Sequence, residues 1–225
     1  MMAERHTYPF NEPAPRGFPP GRSGASCSRG FTLLELLTVV SITGVLAAII
    51  LAGAGGALRR SRMIECLSNM RQMGAAVQMF AGDHDGVLPG TSHGVSWTNS
   101  LAGYLGPGFI GRCPAQLQHR SRVTYGWNDC LATNGDGISI GQCRKPGLTM
   151  AVAEIAASQS SEHLHFSGTR GGAARLTPNQ FRAEVNVEAH GTSANYLFVD
   201  GHSENIEWTE VQNRITRTNT VFVVP

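Results

Sequence analysis

The fold is decided by residues 29–37, RGFTLLELL, and by the apolar run that follows them. Residues 36–58 read LLTVVSITGVLAAIILAGAGGAL and contain no charged side chain. As a helix, these 23 residues rise about 34 Å, and the hydrocarbon core of a bilayer is about 30 Å thick. We therefore predict a membrane-spanning helix. The alternative is a long buried helix of a globular core, which such a uniformly apolar run disfavours.

One carboxylate, Glu35, stands at the start of this run. An ionisable side chain at membrane depth is costly and indicates a function. Glu35 also falls in the first helical turn, where the helix dipole favours an acidic group. Two interpretations stay open: Glu35 pairs with a cation between helices, or it is a first-turn residue that reaches the lipid headgroups.

Residues 1–30 are predicted to form a solvated leader peptide, because they are rich in proline and arginine and contain no apolar run. Gly30, the small residue that suits cleavage, precedes the apolar run instead of following it. Cleavage there would leave the membrane segment attached to the chain. It would also create a new α-amino group on Phe31, four residues before Glu35 and on the same helix face.

The string Gly30-Phe31-Thr32-Leu33-Leu34-Glu35, followed by the apolar run, resembles the N-terminal processing signal of type IV pilins and type II secretion pseudopilins. The resemblance implies that a membrane prepilin peptidase cleaves after Gly30 and methylates Phe31. It implies that Glu35 pairs with the free N-terminus of a neighbouring subunit during filament assembly. The implied partners are this peptidase, copies of the chain, other pilin-like subunits, an inner-membrane assembly platform and membrane lipid.

Charge and orientation are consistent with this interpretation. Removing the leader's 4 arginines and 2 glutamates from the totals of 18 basic and 16 acidic residues leaves 14 of each. A neutral chain gives no sign of a nucleic-acid partner, which would need a surface of clustered basic residues. The span is followed by Arg59, Arg60 and Arg62. Under the positive-inside rule these arginines argue against a cytoplasmic leader, but long domains cross the membrane largely regardless of their charge. We expect a single-pass protein of the inner membrane with a cytoplasmic N-terminus and a periplasmic head.

Residues 63–80 continue the helix as an amphipathic segment, because apolar residues recur every three or four positions until a glycine- and aspartate-rich turn at 82–86. Its methionines are interpreted as core packing. Residues 66–74, CLSNMRQMG, also resemble the continuation seen in pseudopilin-like proteins of planctomycete and verrucomicrobial type. We thus predict three parts: a leader at 1–30, a long helix at 31–82 with its span at 36–58, and a head at 83–225.

The head is predicted to be α+β, with the helix packed on a small antiparallel sheet in a type IV pilin-like layout. A short helix is expected at residues 97–104, capped by Ser96. The strands are predicted at residues 123–127, 148–155, 163–166, 195–199, 203–208 and 221–224. Asp200-Gly201 between two of them indicates a type I′ hairpin. His190 and Asp200-Gly201 also resemble the H-x9-DG element of pilin-like proteins, from which we infer a fold association and no catalytic role.

Metal binding is considered because His163 and His165 alternate on one predicted strand. Two or three imidazoles with a carboxylate would suit zinc, and the remaining candidates are His190, Asp200 and His202. The alternative is that these histidines are exposed or hydrogen-bonded. Pseudopilins of the secretion type often bind calcium, but the local oxygen donors do not follow an EF-hand pattern; they are Asn128, Asp129, Asn134 and Asp136. We expect no cofactor, with zinc and calcium as the open alternatives.

Disulfides are expected if the head folds outside the cytoplasm. Cys27 would be lost with the leader, which leaves Cys66, Cys113, Cys130 and Cys143. A bridge among the last three would contribute about 3 kcal/mol on the chain-entropy estimate. Cys66 either joins one of them or stays buried, and the sequence leaves all three pairings of the four cysteines open.

Catalytic motifs do not appear in the sequence. There is no G-x-S-x-G elbow, and the glycines at 53–56 lack the Lys-Ser/Thr ending of a phosphate loop. We predict a filament subunit that is the substrate of an enzyme, and not itself an enzyme. The contrasting hypothesis is a membrane-anchored periplasmic protein that binds a metal or ligand through the histidine and aspartate residues of its head.

Overall fold

A computed structural model describes residues 30–91, 96–106, 111–166, 176–217 and 222–223. Residues 1–29 of the leader predicted at 1–30 lie outside the described residues, and so do the first and last residues of the strand predicted at 221–224. Internal contacts divide the chain into two units, Met1–Ala48 and Ile49–Pro225.

The first element is a helix, α1, that runs from Leu33 to Asp83. Every residue from 33 to 61 is exposed. Burial begins at Cys66 and recurs at intervals of one to four residues; the buried positions are Cys66, Met70, Met73, Gly74, Ala76, Val77 and Ala81. In the part of the chain that the structure describes, α1 is the one helix long and apolar enough to cross a membrane.

Helix α1 ends in the turn that the sequence predicts. Asp85 and Gly86 adopt positive φ angles of 53° and 78°, and the backbone N–H of Gly86 donates to the carbonyl of Ala81 at 2.8 Å. Glycine is free to adopt this left-handed conformation, and aspartate tolerates it better than most residues.

The head is built on a five-stranded sheet. Its strands are β1 (Tyr125–Asn128), β4 (Met150–Glu154), β5 (His163–Leu164), β6 (Ser193–Phe198) and β7 (Ser203–Glu207), in the order β5-β1-β4-β6-β7. A separate two-stranded ladder joins β2 (Ala132–Thr133) to β3 (Asp136–Gly137). The predicted α+β class with a pilin-like layout is therefore confirmed. The sheet is mixed, however, because β5 pairs in parallel with β1.

Both faces of the sheet are covered by apolar side chains. One core cluster joins the buried stripe of α1 to Trp97 of α2 (Trp97–Leu101) and to Trp127 and Leu197 of the sheet. A second cluster covers the opposite face with residues of α3 (Pro178–Glu184) and α4 (Trp208–Arg217), including Phe181 and Val211. Alternate residues of β6 enter opposite clusters, as the two-residue period of a strand requires.

The H-x9-DG spacing corresponds to one strand and its flanking turns. His190 precedes β6, and Asp200-Gly201 forms the turn into β7. The N–H of Gly201 donates to the carbonyl of Phe198, and the N–H of Phe198 donates to the carbonyl of His202, both at 2.9 Å. Gly201 has a φ of 90°, whereas Asp200 is not among the described residues with positive φ. The predicted type I′ turn is therefore wrong: the loop has three residues, with Gly201 in the left-handed position.

Five of the six predicted strands match observed strands and differ from them at their ends. Helices α3 and α4 and the β2–β3 ladder were not predicted. Helix α2 begins after Ser96, whose side chain accepts from the N–H of Thr98 as the predicted cap. The strand predicted at 203–208 stops at Glu207, because α4 begins at Trp208. Phe222 and Val223, within the last predicted strand, lie in a turn.

Candidate functional site

The predicted cleavage site is exposed and lies just before α1. Gly30 and Phe31 precede the first helical residue, and 78% of the Phe31 surface is accessible. Among the described residues other than its chain neighbours, none has an atom within 4 Å of a Cβ placed on Gly30. In the described chain, therefore, the peptide bond between these residues is open to an approaching enzyme.

Glu35 forms a capping box with Thr32 at the start of α1. The backbone N–H and the hydroxyl of Thr32 each donate to Oε2 of Glu35 at 2.9 Å. In return, the N–H of Glu35 donates to the hydroxyl oxygen of Thr32 at 3.2 Å. This reciprocal pair satisfies donors that the first turn of a helix otherwise leaves unpaired. The sequence analysis missed this role, although Thr-x-x-Glu before an apolar run is its signature.

The apolar half of α1 presents its side chains outward on all sides. Fourteen large hydrophobic residues between Phe31 and Leu58 are exposed by half or more. An exposed apolar surface of this extent marks a contact with lipid or with another protein. The first charged residue after it, Arg59, folds back so that its Nε donates to the carbonyl of Gly55 at 3.4 Å.

A buried polar cluster forms the second site, in the head. Nε2 of His190 lies 2.7 Å from Oε1 of Glu154, and both side chains are almost completely buried, with 1% and 0% of their surface accessible. The N–H of Asn195 donates to Oε2 of Glu154 at 3.1 Å, and its side-chain amide donates to the carbonyl of Met63 at 3.1 Å. The cluster thus connects β4 and β6 to α1.

The burial around Glu154 also affects two tyrosines. Burial raises the pKa of the Tyr125 and Tyr196 hydroxyls, and the charge of Glu154 raises the pKa of each further. Tyr125 accepts a hydrogen bond from the side-chain amide of Asn69 at 3.4 Å. Among the described residues, the hydroxyl of Tyr196 has no hydrogen-bond partner.

A disulfide between Cys66 and Cys113 lies directly beside this cluster. It joins α1 to the head across 47 residues, and Sγ of Cys113 is 3.7 Å from Nε2 of His190. Cys143 is buried and takes no part in a disulfide. The bridge therefore closes the segment from Cys66 to Cys113, and not a loop within residues 113–143. Of the partners that the sequence leaves open for Cys66, the structure contains Cys113.

The arrangement around His190 differs from that of a nucleophilic enzyme. Cys113 and Glu154 both approach Nε2 of His190, whereas a thiol–histidine–acid relay needs them on opposite ring nitrogens. Nδ1 of His190 is buried and has no partner among the described residues. The side-chain amide of Asn195 also lies 3.1 Å from Nε2 of His190, so a carboxylate, a sulfur atom and an amide converge on a single nitrogen.

The other predicted metal ligands lie in separate places. The rings of His163 and His165 are 4.6 Å apart, and Nδ1 of His202 is 2.6 Å from Oδ1 of Asp200. Within the described ranges, the one group of three or more potential ligands is formed by Cys66, Cys113, Glu154 and His190. Of the residues predicted as metal candidates, this group contains His190 alone.

The structure also places the oxygen donors that were considered for calcium. The amide of Asn128 donates to the carbonyls of Met150 and Val223 at 2.8 and 2.6 Å, and Oδ1 of Asp129 accepts from the N–H of Phe166 at 3.4 Å. Asn134 occupies a turn position with a φ of 55°. Asp136 belongs to β3 and is exposed.

Residues 25–51 match the model of one protein family, the prokaryotic N-terminal methylation motif. No curated protein matches the chain, and no solved structure matches it. The motif ends within the exposed part of α1 and leaves the head unmatched. Together with the long apolar helix, it fits a type IV pilin-like or pseudopilin-like protein, processed by a prepilin peptidase.

Proposed function

We propose that this chain is a structural subunit of a type IV pilus-like filament or of a type II secretion pseudopilus. The observation that carries the proposal is the methylation motif at residues 25–51, placed at the start of a helix that exposes every residue from 33 to 61. In this proposal a prepilin peptidase cleaves after Gly30 and methylates Phe31. The subunit then joins the filament by packing the apolar half of α1 against neighbouring subunits.

The proposed location is the inner membrane, with residues 1–30 in the cytoplasm and the head in the periplasm. The disulfide between Cys66 and Cys113 supports this orientation, because disulfides persist in oxidising compartments outside the cytoplasm. Membrane lipid and an assembly platform are then the partners before assembly. Other pilin-like subunits and copies of the chain are the partners afterwards.

Glu35 is proposed to pair with the amino group of Phe31 on a neighbouring subunit. Both hydrogen bonds from Thr32 reach Oε2, which leaves Oε1 to accept from an ammonium group while the helix cap stays formed. A charged pair inside an apolar bundle repays its desolvation cost only if both partners are present. The pairing therefore favours one register between neighbouring helices.

The head is proposed to have a structural role and no catalytic one. The polar residues that it buries connect α1 to the sheet, as Asn195 does through the carbonyl of Met63. Gln78 acts similarly, since its amide donates to the carbonyl of Val199 at 2.7 Å. These bonds fix the head on the second half of α1, so that the head follows the helix into a filament.

The test is mass spectrometry of the N-terminus of protein extracted from membranes. The expected product begins with methylated Phe31, and deletion of the prepilin peptidase should leave the leader attached. A Gly30→Ala variant extends the test, and its matched control is Gly82→Ala, at a helix position with nothing within 4 Å of the new Cβ. A mature protein that keeps Met1 in the presence of the peptidase would overturn the proposal.

A further inference from the structure

We propose that Cys66, Cys113, Glu154 and His190 form a binding site for one zinc ion when the two cysteines are reduced. The site is distinct from the N-terminal assembly segment, and the inference does not depend on the proposed function. It concerns the same buried position that the disulfide occupies in the oxidised chain.

The first support is that the four potential ligand atoms lie close together. The four residues come from four parts of the chain: Cys66 from α1, Cys113 from the segment before β1, Glu154 from β4 and His190 from the turn before β6. One ligand atom from each lies within 4.8 Å of all the others. Such a meeting of two sulfur atoms, an imidazole and a carboxylate, far apart in sequence, is the donor set of a zinc site.

The second support is the burial of the group. Cys66, Cys113 and Glu154 are fully inaccessible to solvent, and 1% of the His190 side chain is exposed. A buried carboxylate is costly unless it is paired or holds a metal. Oε2 of Glu154 already accepts from the N–H of Asn195 at 3.1 Å. This bond holds the carboxylate in place, as hydrogen bonds from surrounding groups do for the ligands of a metal.

The third support is the contact between His190 and Glu154. Nε2 of His190 and Oε1 of Glu154 lie 2.7 Å apart, so two ligand atoms for a metal ion already face each other. Nδ1 of His190 has no partner among the described residues. It can therefore carry the hydrogen of the ring while Nε2 coordinates the metal.

The geometry needs small movements in addition to opening of the disulfide. Tetrahedral zinc binds sulfur at about 2.3 Å and nitrogen or oxygen at about 2.0–2.1 Å, so its ligand atoms stand roughly 3–4 Å apart. Cys113 Sγ and His190 Nε2 already lie 3.7 Å apart, whereas His190 and Glu154 must separate slightly from 2.7 Å. Sulfur donors with one imidazole favour zinc over calcium or magnesium.

The disulfide and the bound metal exclude each other, because both use the sulfur atoms of Cys66 and Cys113. Opening the disulfide requires a reductant, for which we name a dithiol. The dithiol gives two electrons and two protons to the Cys66–Cys113 bond and becomes a disulfide itself. The two thiols then release their two protons to solvent as their sulfur atoms bind one zinc ion. A chain that has not yet been oxidised needs the second step alone, so zinc would hold the reduced cysteines in place until oxidation.

The experiment uses the full chain in detergent, reduced with a phosphine that is removed before the titration with Co²⁺, a spectroscopic substitute for zinc. We expect one Co²⁺ per chain, a near-ultraviolet thiolate-to-cobalt charge-transfer band, and displacement by one equivalent of Zn²⁺. The oxidised chain should show no such band. Circular dichroism follows the fold in parallel. A reduced, folded chain that binds no stoichiometric Co²⁺ would overturn the proposal.

Variants assign the ligands. Cys66→Ser, Cys113→Ser and His190→Ala should each lose stoichiometric binding, and Glu154→Gln should weaken it. Cys143→Ser and His202→Ala are the matched controls for a thiol and an imidazole outside the group, and both should bind as the unaltered chain does. If the reduced chain unfolds, Co²⁺ added during refolding should restore the native circular dichroism. Failure to restore it, or a charge-transfer band that survives in both cysteine variants, would contradict the site.

Discussion

Gly74 of α1 packs directly against the carbonyl oxygen of Gly201 in the β6–β7 turn. A Cβ atom placed on Gly74 would lie 2.4 Å from that oxygen and 2.8 Å from Cδ1 of Leu197. The helix therefore approaches the hairpin as closely as its backbone permits. The neighbouring hydrogen bond from Gln78 to Val199 depends on the same approach.

Gly74→Ala should destabilise the head by about 1–3 kcal/mol, because the new methyl group must displace backbone as well as a side chain. The measurement is denaturant unfolding of the full chain in detergent, followed by tryptophan fluorescence. Gly82→Ala is the matched control, since its methyl group meets nothing within 4 Å. That change should stabilise α1 by about 0.5–1 kcal/mol. Equal stabilities for the two variants would contradict the close approach.

Tyr196→Phe should raise the free energy of unfolding by about 1 kcal/mol, because the buried Tyr196 hydroxyl has no partner among the described residues. Its control is Tyr125→Phe, which removes the acceptor of the Asn69 amide and should lower stability by about 1 kcal/mol. Both variants keep the aromatic ring and its packing. Calorimetry on the two variants measures whether each change raises or lowers the free energy of unfolding. Destabilisation by Tyr196→Phe would show that the Tyr196 hydroxyl has a partner.

Alkaline pH should unfold the head together with the ionisation of Tyr125 and Tyr196. Burial raises the pKa of both hydroxyls above the unfolded value, which is about 10. The two protonated tyrosines therefore contribute fully to the stability of the head below about pH 10, and this contribution is lost as the pH rises above that value. Phenolate absorbance and circular dichroism should change together.

Tyr104 provides the control for this titration. Its hydroxyl donates to Oδ2 of Asp83 at 2.9 Å in an exposed position, and that bond raises the pKa of Tyr104. The double variant Tyr125→Phe/Tyr196→Phe should remain folded to higher pH than the unaltered chain, whereas Tyr104→Phe should leave the transition in place. Ionisation of all tyrosines without any loss of circular dichroism would refute the explanation.

The parts of the fold that sequence predicted are those with a strong local pattern. The long helix follows from the uncharged run at 36–58 and from the three- and four-residue spacing of Met70, Met73 and Val77. Helix α3 was missed because it is short and buries one side chain, Phe181. Its signal was nevertheless present: Thr177 and Gln180 form a capping box, with Pro178 at the first helical position.

The buried cluster could not be predicted by the same means. Glu154 and His190 are 36 residues apart, and Cys66 and Cys113 are 47 apart, so no spacing in the sequence connects them. They meet because β4 and β6 pair and because α1 covers the sheet. The N-terminal site, by contrast, is contained in six consecutive residues, which is why its pattern can be recognised without a structure.

Glu35 caps the helix and has a proposed role in pairing between subunits, and substitutions can separate the two. Glutamine completes a capping box as glutamate does but has no charge. Glu35→Gln should therefore keep the start of α1, cleavage after Gly30 and methylation of Phe31. Filament incorporation should nevertheless fall as far as it does in Glu35→Ala, because an amide cannot neutralise the ammonium group of a neighbouring subunit.

Thr32→Ala is the complementary control, because it removes the threonine hydroxyl and keeps the charge of Glu35. It should cost the helix terminus about 1 kcal/mol and leave filaments at near-normal yield. Immunoblots of sheared filaments measure incorporation, and mass spectrometry of the N-terminus confirms processing in each variant. Normal filaments from Glu35→Gln, with few from Thr32→Ala, would assign Glu35 to the helix cap alone, because only the bond to Thr32 would then matter for assembly.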